Sequence, residues 1–340
     1  MRTSDFDYHL PPERIAQEPA HPRDSSRLLH LDRETGDLAH YRFRDLLELL
    51  NPGDALVLND TRVIRARLRA RKLPTGGKAE LLLLRRNEPQ IWEALVGGKG
   101  LRPGIRLALS HGLEAEILDD LGQSRRRIRF NQPVSPLLEE LGEAPLPPYI
   151  HRPLTDPGDY QTIYARIAGS AAAPTAGLHF THDLLERLTR RGITLVSVTL
   201  HIGLDTFAPV TSEDPSGHPI HSEWGQVSGG AAESLQAVRE RGGRIVAVGT
   251  TSTRILETAA RETAEGLPTS AFEGQTNLFI LPGFRFRIVD ALVTNFHLPR
   301  STLLMLVSAF SGREKILHAY KVAMESGYRF YSFGDAMLIT

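Results

Sequence analysis

The chain has 340 residues, 41% of them apolar, with 40 basic and 40 acidic side chains and no cysteine. That length and apolar content suit one large core or two moderate ones, with no long disordered tail implied. The lack of cysteine excludes disulfides, thiolate nucleophiles and cysteine-ligated iron–sulfur clusters. The polar start, MRTSDFDYHLPPERIAQEP, has no apolar signal core, so a soluble, cytoplasmic protein without membrane association is expected. Charge is unevenly placed: Thr61 to Phe130 holds 16 Lys and Arg against 7 Asp and Glu, a net +9, and the remainder (24 against 33) carries −9. A basic segment in an otherwise acidic chain points either to a polyanion partner or to a solvated strand surface.

In chain order, residues 1–42 are broken by Pro11, Pro12, Pro19 and Pro22. HPRDSSRLLHLDRETGDLAHYRF reads as a strand, a turn at Glu34-Thr35-Gly36 and a second strand. A short helix over Arg44–Leu50 stops at Asn51-Pro52-Gly53, and the apolar strand Ala55–Leu58 ends in Asn59-Asp60-Thr61-Arg62. From Val63 the pattern changes. Ile64, Ala66, Leu68 and Ala70 alternate with Arg65, Arg67, Arg69 and Arg71, a period of two that predicts a strand with one buried face and one face of guanidinium groups. The runs Glu80–Leu84, Ile91–Val96, Ile105–Ser110, Leu113–Leu118 and Arg127–Phe130, separated by glycine-containing turns, predict a small antiparallel β-barrel. A short helix and a proline-rich linker follow, placing a boundary near Pro147-Pro148. Residues 63–147 are therefore expected as an inserted β-barrel domain, and 1–62 plus 148–340 as an α/β core.

Within the core, Thr181 is a plausible N-cap for a helix over His182–Arg191, with Gly192 its C′ residue. Strand Ile193–Leu200 ends in His201-Ile202-Gly203; helix Ala231–Arg241 follows. Strand Arg244–Val248 ends in Gly249–Arg254, before a helix over Ile255–Glu265. RIVDALVTNFHLPRSTLLMLVSAF then reads as a buried strand, a polar loop at Thr294–His297 and a helix starting at Ser301-Thr302, because Pro299 forbids one continuous helix. A last helix near Glu314–Ser326 precedes the tail YRFYSFGDAMLI.

Alternating strands and helices predict a mostly parallel sheet flanked by helices, and ligands of such sheets sit beyond the carboxyl ends of the strands. Thr250-Thr251-Ser252 at a helix N-terminus offers hydroxyls and free N–H groups to a polar or anionic ligand, although one such hydroxyl often serves only as an N-cap. His201 and His297 are acid–base or hydrogen-bonding candidates; each reads equally well as a structural histidine. His179 and His182, like His218 and His221, share an H-x2-H spacing, but without cysteine or an H-E-x-x-H motif no metal is expected. G-x-S-x-G, Walker A and G-x-G-x-x-G patterns are missing, so hydrolase, NTPase and dinucleotide readings lack support.

Ten stretches carry a resemblance: DFDYHLPPERIAQEP, RDSSRLL, LVLNDTRVI, APLPPYI, AAPTAGLHFT, HIGLDTF, HSEW, AVGTTSTR, DALVTNFHLPRSTLLMLVSAFSG and YRFYSFGDAMLI. Through them the chain resembles, nearly end to end, the S-adenosylmethionine:tRNA ribosyltransferase-isomerase family of queuosine biosynthesis. Asp205 stands where that family's pattern has glycine, and Gly225 where an aromatic residue is common after HSEW. The resemblance implies a small β-barrel inserted into an α/β core. It also implies transfer of the ribosyl group of S-adenosylmethionine, a co-substrate, to 7-aminomethyl-7-deazaguanine at the tRNA wobble position. Adenine and methionine would leave, and epoxyqueuosine would result.

A sulfonium acidifies the adjacent C5′ hydrogens, and the incoming amine must be neutral to attack, so both steps call for proton acceptors. His297 and His201 are assigned to proton transfer, with Asp60 as carboxylate partner. Asn59, Thr61, Thr250, Thr251, Ser252 and Asn295 would hold the co-substrate, and Arg254 and Arg300 its carboxylate or an RNA phosphate. For the tRNA, Arg65, Arg67, Arg69, Arg71, Arg125 and Arg127 are candidate phosphate contacts, with Tyr149 and Arg152 just past the linker. Tyr149, Phe296, Tyr328, Tyr331 and Phe333 are candidates to stack on a splayed base. A monomer is expected. An RNA methyltransferase using the same co-substrate and a non-enzymatic RNA-binding adaptor remain as rival readings.

Overall fold

Ala55–Asn59 shows how the sequence builds the centre of the molecule. All five residues are buried, because the strand is covered on both faces. Ala55 and Val57 pack with one apolar cluster and Leu56 and Leu58 with another, so alternate side chains serve opposite layers. The computed structural model describes residues 1–203, 210–218, 220, 222–263 and 269–340. It divides into two compact units, one of residues 1–62, 148–167 and 173–340, the other of residues 63–147 and 168–172.

The chain opens with β1 (Arg27–Leu31), β2 (Leu38–Arg42), the one-turn helix α1 (Leu46–Leu49), β3 (Ala55–Asn59) and β4 (Thr61–Val63). Next come β5 (Arg67–Lys72), β6 (Lys78–Arg86), β7 (Ile91–Gly97), β8 (Arg106–Ala108), β9 (Glu114–Asp120), β10 (Arg125–Phe130) and α2 (Leu138–Leu141). β11 (Ile167–Ser170) ladders with β4 and precedes α3 (His182–Arg190), β12 (Thr194–Leu200), β13 (Glu223–Val227) and α4 (Gly229–Glu240). The remainder is β14 (Ile245–Val248), α5 (Gly249–Arg261), β15 (Phe272–Thr276), β16 (Ala291–Asn295), α6 (Thr302–Ser311), α7 (Arg313–Glu325) and β17 (Ala336–Ile339).

Nine strands form the core sheet in the order β15-β13-β12-β3-β14-β16-β17-β1-β2. The four central strands, β12, β3, β14 and β16, run parallel; Val57, for example, lies between Val196 and Ala247. β13 and β15 extend one side antiparallel, while β17 joins β16 antiparallel and β1 in parallel, so the expected parallel sheet is the centre of a wider mixed one. Helices α4 to α7 bury their apolar stripes on one face; α3, Phe43 and Phe180 cover the other. The parallel centre brings the carboxyl ends of β3, β12, β14 and β16 to a single edge.

Two local departures from the sequence reading have clear causes. Helix α5 begins at Gly249, not near Ile255, because Gly249 adopts φ +87 and turns strand directly into helix, a conformation costly for any other residue. Thr250 to Arg254 are thus its first turns; the expected end at Glu265 lies outside the described residues. Strand β16 starts at Ala291 rather than Arg287, because the N–H groups of Arg287, Ile288 and Val289 all donate to the buried carboxylate of Glu257 instead of to a ladder.

In the second unit β10-β7-β6-β5-β8-β9 close into an antiparallel barrel. Ala66, Leu68 and Ala70 are buried and Arg69 and Arg71 exposed, as the alternation requires, but Ile64, Arg65 and Arg67 are half-buried and the expected single strand is interrupted between Val63 and Arg67. The strand expected over Ile105–Ser110 shortens to Arg106–Ala108 and gives way to a 3-10 turn at Ser110–Gly112. Among the described residues no helix is long and apolar enough to cross a membrane.

Candidate active site

At the edge of the parallel strands lies a cleft whose lining includes Thr175, Ile202, Thr250, Thr251, Asn295 and His297. Its free volume is about 30 Å³, room for about one water, so a nucleoside-sized ligand enters only if the walls part. Asn295 ends β16 and Thr250 is the second residue of α5, so both are held by regular structure rather than by loops. The first N–H groups of α5 lack intrahelical acceptors, and no side chain caps them, which suits an anionic or carbonyl oxygen.

His297 is held from three sides. Its N–H donates to Tyr320 Oη at 2.9 Å, its carbonyl accepts from Tyr8 Oη, and Nε2 lies 2.8 Å from Thr294 Oγ1. Its Nδ1 makes no hydrogen bond among the described residues. Burial lowers its pKa to about 3, so the imidazole is neutral at physiological pH. Asn295 Oδ1 accepts from Thr175 Oγ1 at 2.9 Å, and its Nδ2 donates to His179 Nε2 at 3.2 Å.

Other candidates are committed elsewhere. Asn59 is fully buried; Nδ2 donates to Leu200 O and Thr251 Oγ1, and Oδ1 accepts from Leu200 N and Thr61 N. Its amide ties strand ends together and leaves no group for a ligand. Ser252 is fully buried, with its hydroxyl returned to Val248 O at 2.8 Å. Asp60 accepts from Thr199 Oγ1 and from Arg166, so its carboxylate oxygens are already engaged within the protein. The ring of His201 stacks on Trp224 at 5.0 Å, with Nδ1 2.7 Å from Thr61 Oγ1; burial lowers its pKa, opposed by the charges of Asp60 and Glu223. Ile202, the next residue, rather than His201, lines the cleft. Arg254 pairs with Glu223, whose carboxylate also accepts from Gly203 N, and does not line the cleft. Arg300, strained at φ +56, lies off the lining and pairs with Asp7.

Among the described residues no group of three or more His, Asp or Glu side chains is gathered as a metal would require. His179 is buried against Ser26 while His182 is exposed at the start of α3, and His221 lies outside the described residues. Phe296, Tyr328, Tyr331 and Phe333 are buried in the core, so none is available to stack on a base. Tyr149 is half-buried with its hydroxyl on Ser332 Oγ at 2.7 Å, and exposed Arg152 bridges to Glu18 at 2.8 Å.

On the barrel, Arg69, Arg71 and Lys78 share a groove of about 900 Å³ with Glu80, Gly97 and Ser110. Arg65 binds Glu139, Arg67 faces Glu80 at 3.5 Å, Arg69 pairs with Glu143 and Arg127 with Asp119. Among the described residues Arg71 reaches the Gly76 carbonyl at 3.4 Å, and Arg125 is half-buried within the β7–β10 ladder.

The model of the family described as queuosine biosynthesis protein matches residues 3–339. The chain belongs to this family. It is 54% identical over 343 residues to the S-adenosylmethionine:tRNA ribosyltransferase-isomerase of Symbiobacterium thermophilum, with 100% of both chains covered. With the protein of the same name from Moorella thermoacetica the identity is 55% over 344 residues, again with 100% of both covered. A crystal structure of an S-adenosylmethionine tRNA ribosyltransferase from Thermotoga maritima is 42% identical, with 99% of this chain and 100% of that one covered and a TM-score of 0.58.

Within this queuosine family member, placement at strand ends pointed to Thr250, Thr251, Asn295 and His297, which line the cleft, but not to Thr175, which also lines it, or to Ser26, His179, Glu223, Tyr8 and Tyr320, whose hydrogen bonds hold the surrounding groups. Five of these lie in stretches that carry the family resemblance; their unusual composition was the available signal. Gly225 also finds a reason here: a Cβ there would come within 2.5 Å of Ile255 and 2.9 Å of the Thr199 carbonyl, so no larger residue fits.

Proposed function

We propose that this chain transfers and isomerises the ribosyl group of S-adenosylmethionine onto 7-aminomethyl-7-deazaguanine at the wobble position of tRNA, releasing adenine and methionine and leaving epoxyqueuosine. The observation that carries this reading is the cleft, where Thr250, Thr251, Asn295 and His297 converge at one sheet edge in a chain matched end to end by ribosyltransferase-isomerases. Its donor set of hydroxyls, one amide and a helix N-terminus suits the sugar, base and carboxylate of such a co-substrate.

When bound, the sulfonium supplies acidic C5′ hydrogens and a good leaving group. The chain's own residues position and exclude. His297 is neutral, and if Nε2 gives its hydrogen to Thr294 Oγ1 the Nδ1 lone pair faces the cleft as proton acceptor. Burial keeps the His297 ring neutral, with a lone pair to offer, and at the same time makes it a weak base. His201 steadies the neighbouring edge through Thr61 rather than meeting the ligand. The exposed arginines of the barrel supply contacts for RNA phosphates.

The test is product analysis with S-adenosylmethionine and tRNA carrying 7-aminomethyl-7-deazaguanine. Free adenine and methionine are expected in equal amounts. S-adenosylhomocysteine without adenine would make the chain a methyltransferase, and tRNA binding without turnover would make it an adaptor; either result overturns the proposal.

A further inference from the structure

Ser26, His179, Asn295 and Thr175 form a hydrogen-bonded chain of which the proposed function uses only the Asn295 amide. His179 Nδ1 lies 2.8 Å from Ser26 Oγ, Nε2 lies 3.2 Å from Asn295 Nδ2, and Asn295 Oδ1 accepts from Thr175 Oγ1 at 2.9 Å. Ser26, His179 and Asn295 are no more than 5% exposed. The His179 ring is also stacked on Phe43 at 4.8 Å, which fixes its plane. Asn295 and Thr175 line the cleft; Ser26 and His179 stand behind them.

With the Asn295 amide oxygen on Thr175 and its nitrogen on His179, the chain has one polarity. An amide nitrogen only donates, so His179 Nε2 must be the bare acceptor and Nδ1 must carry the ring's hydrogen toward Ser26. This requires a neutral imidazole. Burial, reinforced by the charges of Arg329 and Arg23, lowers its pKa to about 3 and provides one. The amide held this way turns its oxygen to Thr175 and takes that hydroxyl's hydrogen. What remains for a ligand is the second N–H of Asn295 beside the lone pairs of Thr175, a donor next to an acceptor. An amino group adjacent to a ring nitrogen, as on the edge of adenine, is the complement of that pair.

We propose that His179 is a positioning residue that locks the Asn295 amide, so that the cleft selects a 6-amino purine over a 6-oxo purine. This rests on the reading of the cleft as the co-substrate site. The experiment measures S-adenosylmethionine affinity by calorimetry, and both KM values, for the intact protein and four variants. His179→Phe should weaken co-substrate binding about 10-fold or more, with less than about a twofold change in KM for tRNA. His179→Gln, whose amide oxygen can stand where Nε2 stood, should recover most of the loss; His179→Asn, which reaches Ser26 but not Asn295, should not. Equal behaviour of Gln and Asn, or no effect of Phe, overturns the proposal. Thr250→Val separates the two readings. If it weakens binding while His179→Phe does not, the positioning role alone fails; if neither variant weakens it, the assignment of the cleft fails too. The unmodified protein gives an independent readout: at least about a 10-fold preference for S-adenosylmethionine over its 6-oxo analogue is expected. Equal affinity, or preference for the analogue, overturns it.

Discussion

Arg69 meets Glu143 at 2.7 Å with side chains 81% and 48% exposed, whereas Asn59, 0% exposed, spends its whole amide on Leu200, Thr251 and Thr61. The first arrangement is typical of the barrel and the second of the core edge. Exposed ion pairs are screened and exchange partners easily, so they lend themselves to long, charged partners. Buried neutral hydrogen bonds are costly to leave unmade, so they enforce one arrangement of donors and acceptors. The contrast teaches that the core edge fixes one arrangement of donors and acceptors while the barrel surface keeps its charges exchangeable, which is the division of labour that the proposed function requires.

Acid should separate the two regimes most strongly. His179 and His297 accept protons near pH 3 in the folded chain but near the ordinary imidazole value of 6.5 when unfolded. Their stabilisation is therefore complete above about pH 6.5 and is lost as pH falls toward 3, by up to about 1.4 kcal/mol per pH unit for each histidine. Urea midpoints measured from pH 7 to 5 should fall accordingly, and a flat profile would contradict the burial described for both rings. Next in size, His297→Gln should retain the melting temperature while turnover drops roughly 100-fold or more. Near-normal turnover would remove His297 from the chemistry.

Asn59→Ala removes the partner of the Leu200 N–H and of the Thr251 hydroxyl, and should cost about 1–3 kcal/mol in equilibrium unfolding. Reversing Arg69 and Arg71 to Glu should raise KM for tRNA about 10-fold at low salt and flatten its salt dependence, while co-substrate affinity stays unchanged. Loss of co-substrate affinity instead would erase the division of labour. The smallest effect is expected of Glu143→Gln. Stability should change by less than about 1 kcal/mol, and tRNA binding should tighten as Arg69 is released.

Much of this was legible in the sequence. Period-two alternation gave the barrel's buried and exposed faces, and strand–helix alternation gave a core with a parallel centre. Four candidate residues met in one cleft because parallel strands present their carboxyl ends together. What stayed hidden was which polar groups had already found partners. Nothing local distinguishes Asn59, saturated by its neighbours, from Asn295, which still faces the cleft. The same holds for Glu257, which lies 30 residues from the Arg287 N–H it binds and shortens the strand predicted there. Such pairings depend on long-range packing that periodicity does not encode.

The Gly249 corner has an evolutionary consequence. Strand becomes helix within one residue, so no slack chain separates the sheet from Thr250 and Thr251. Length variation among relatives should then spare this corner and accumulate in other connections. Anyone wishing to retune the protein for an altered nucleoside would have to exchange side chains on a fixed jig, since grafting a longer segment there would tear the helix from its footing.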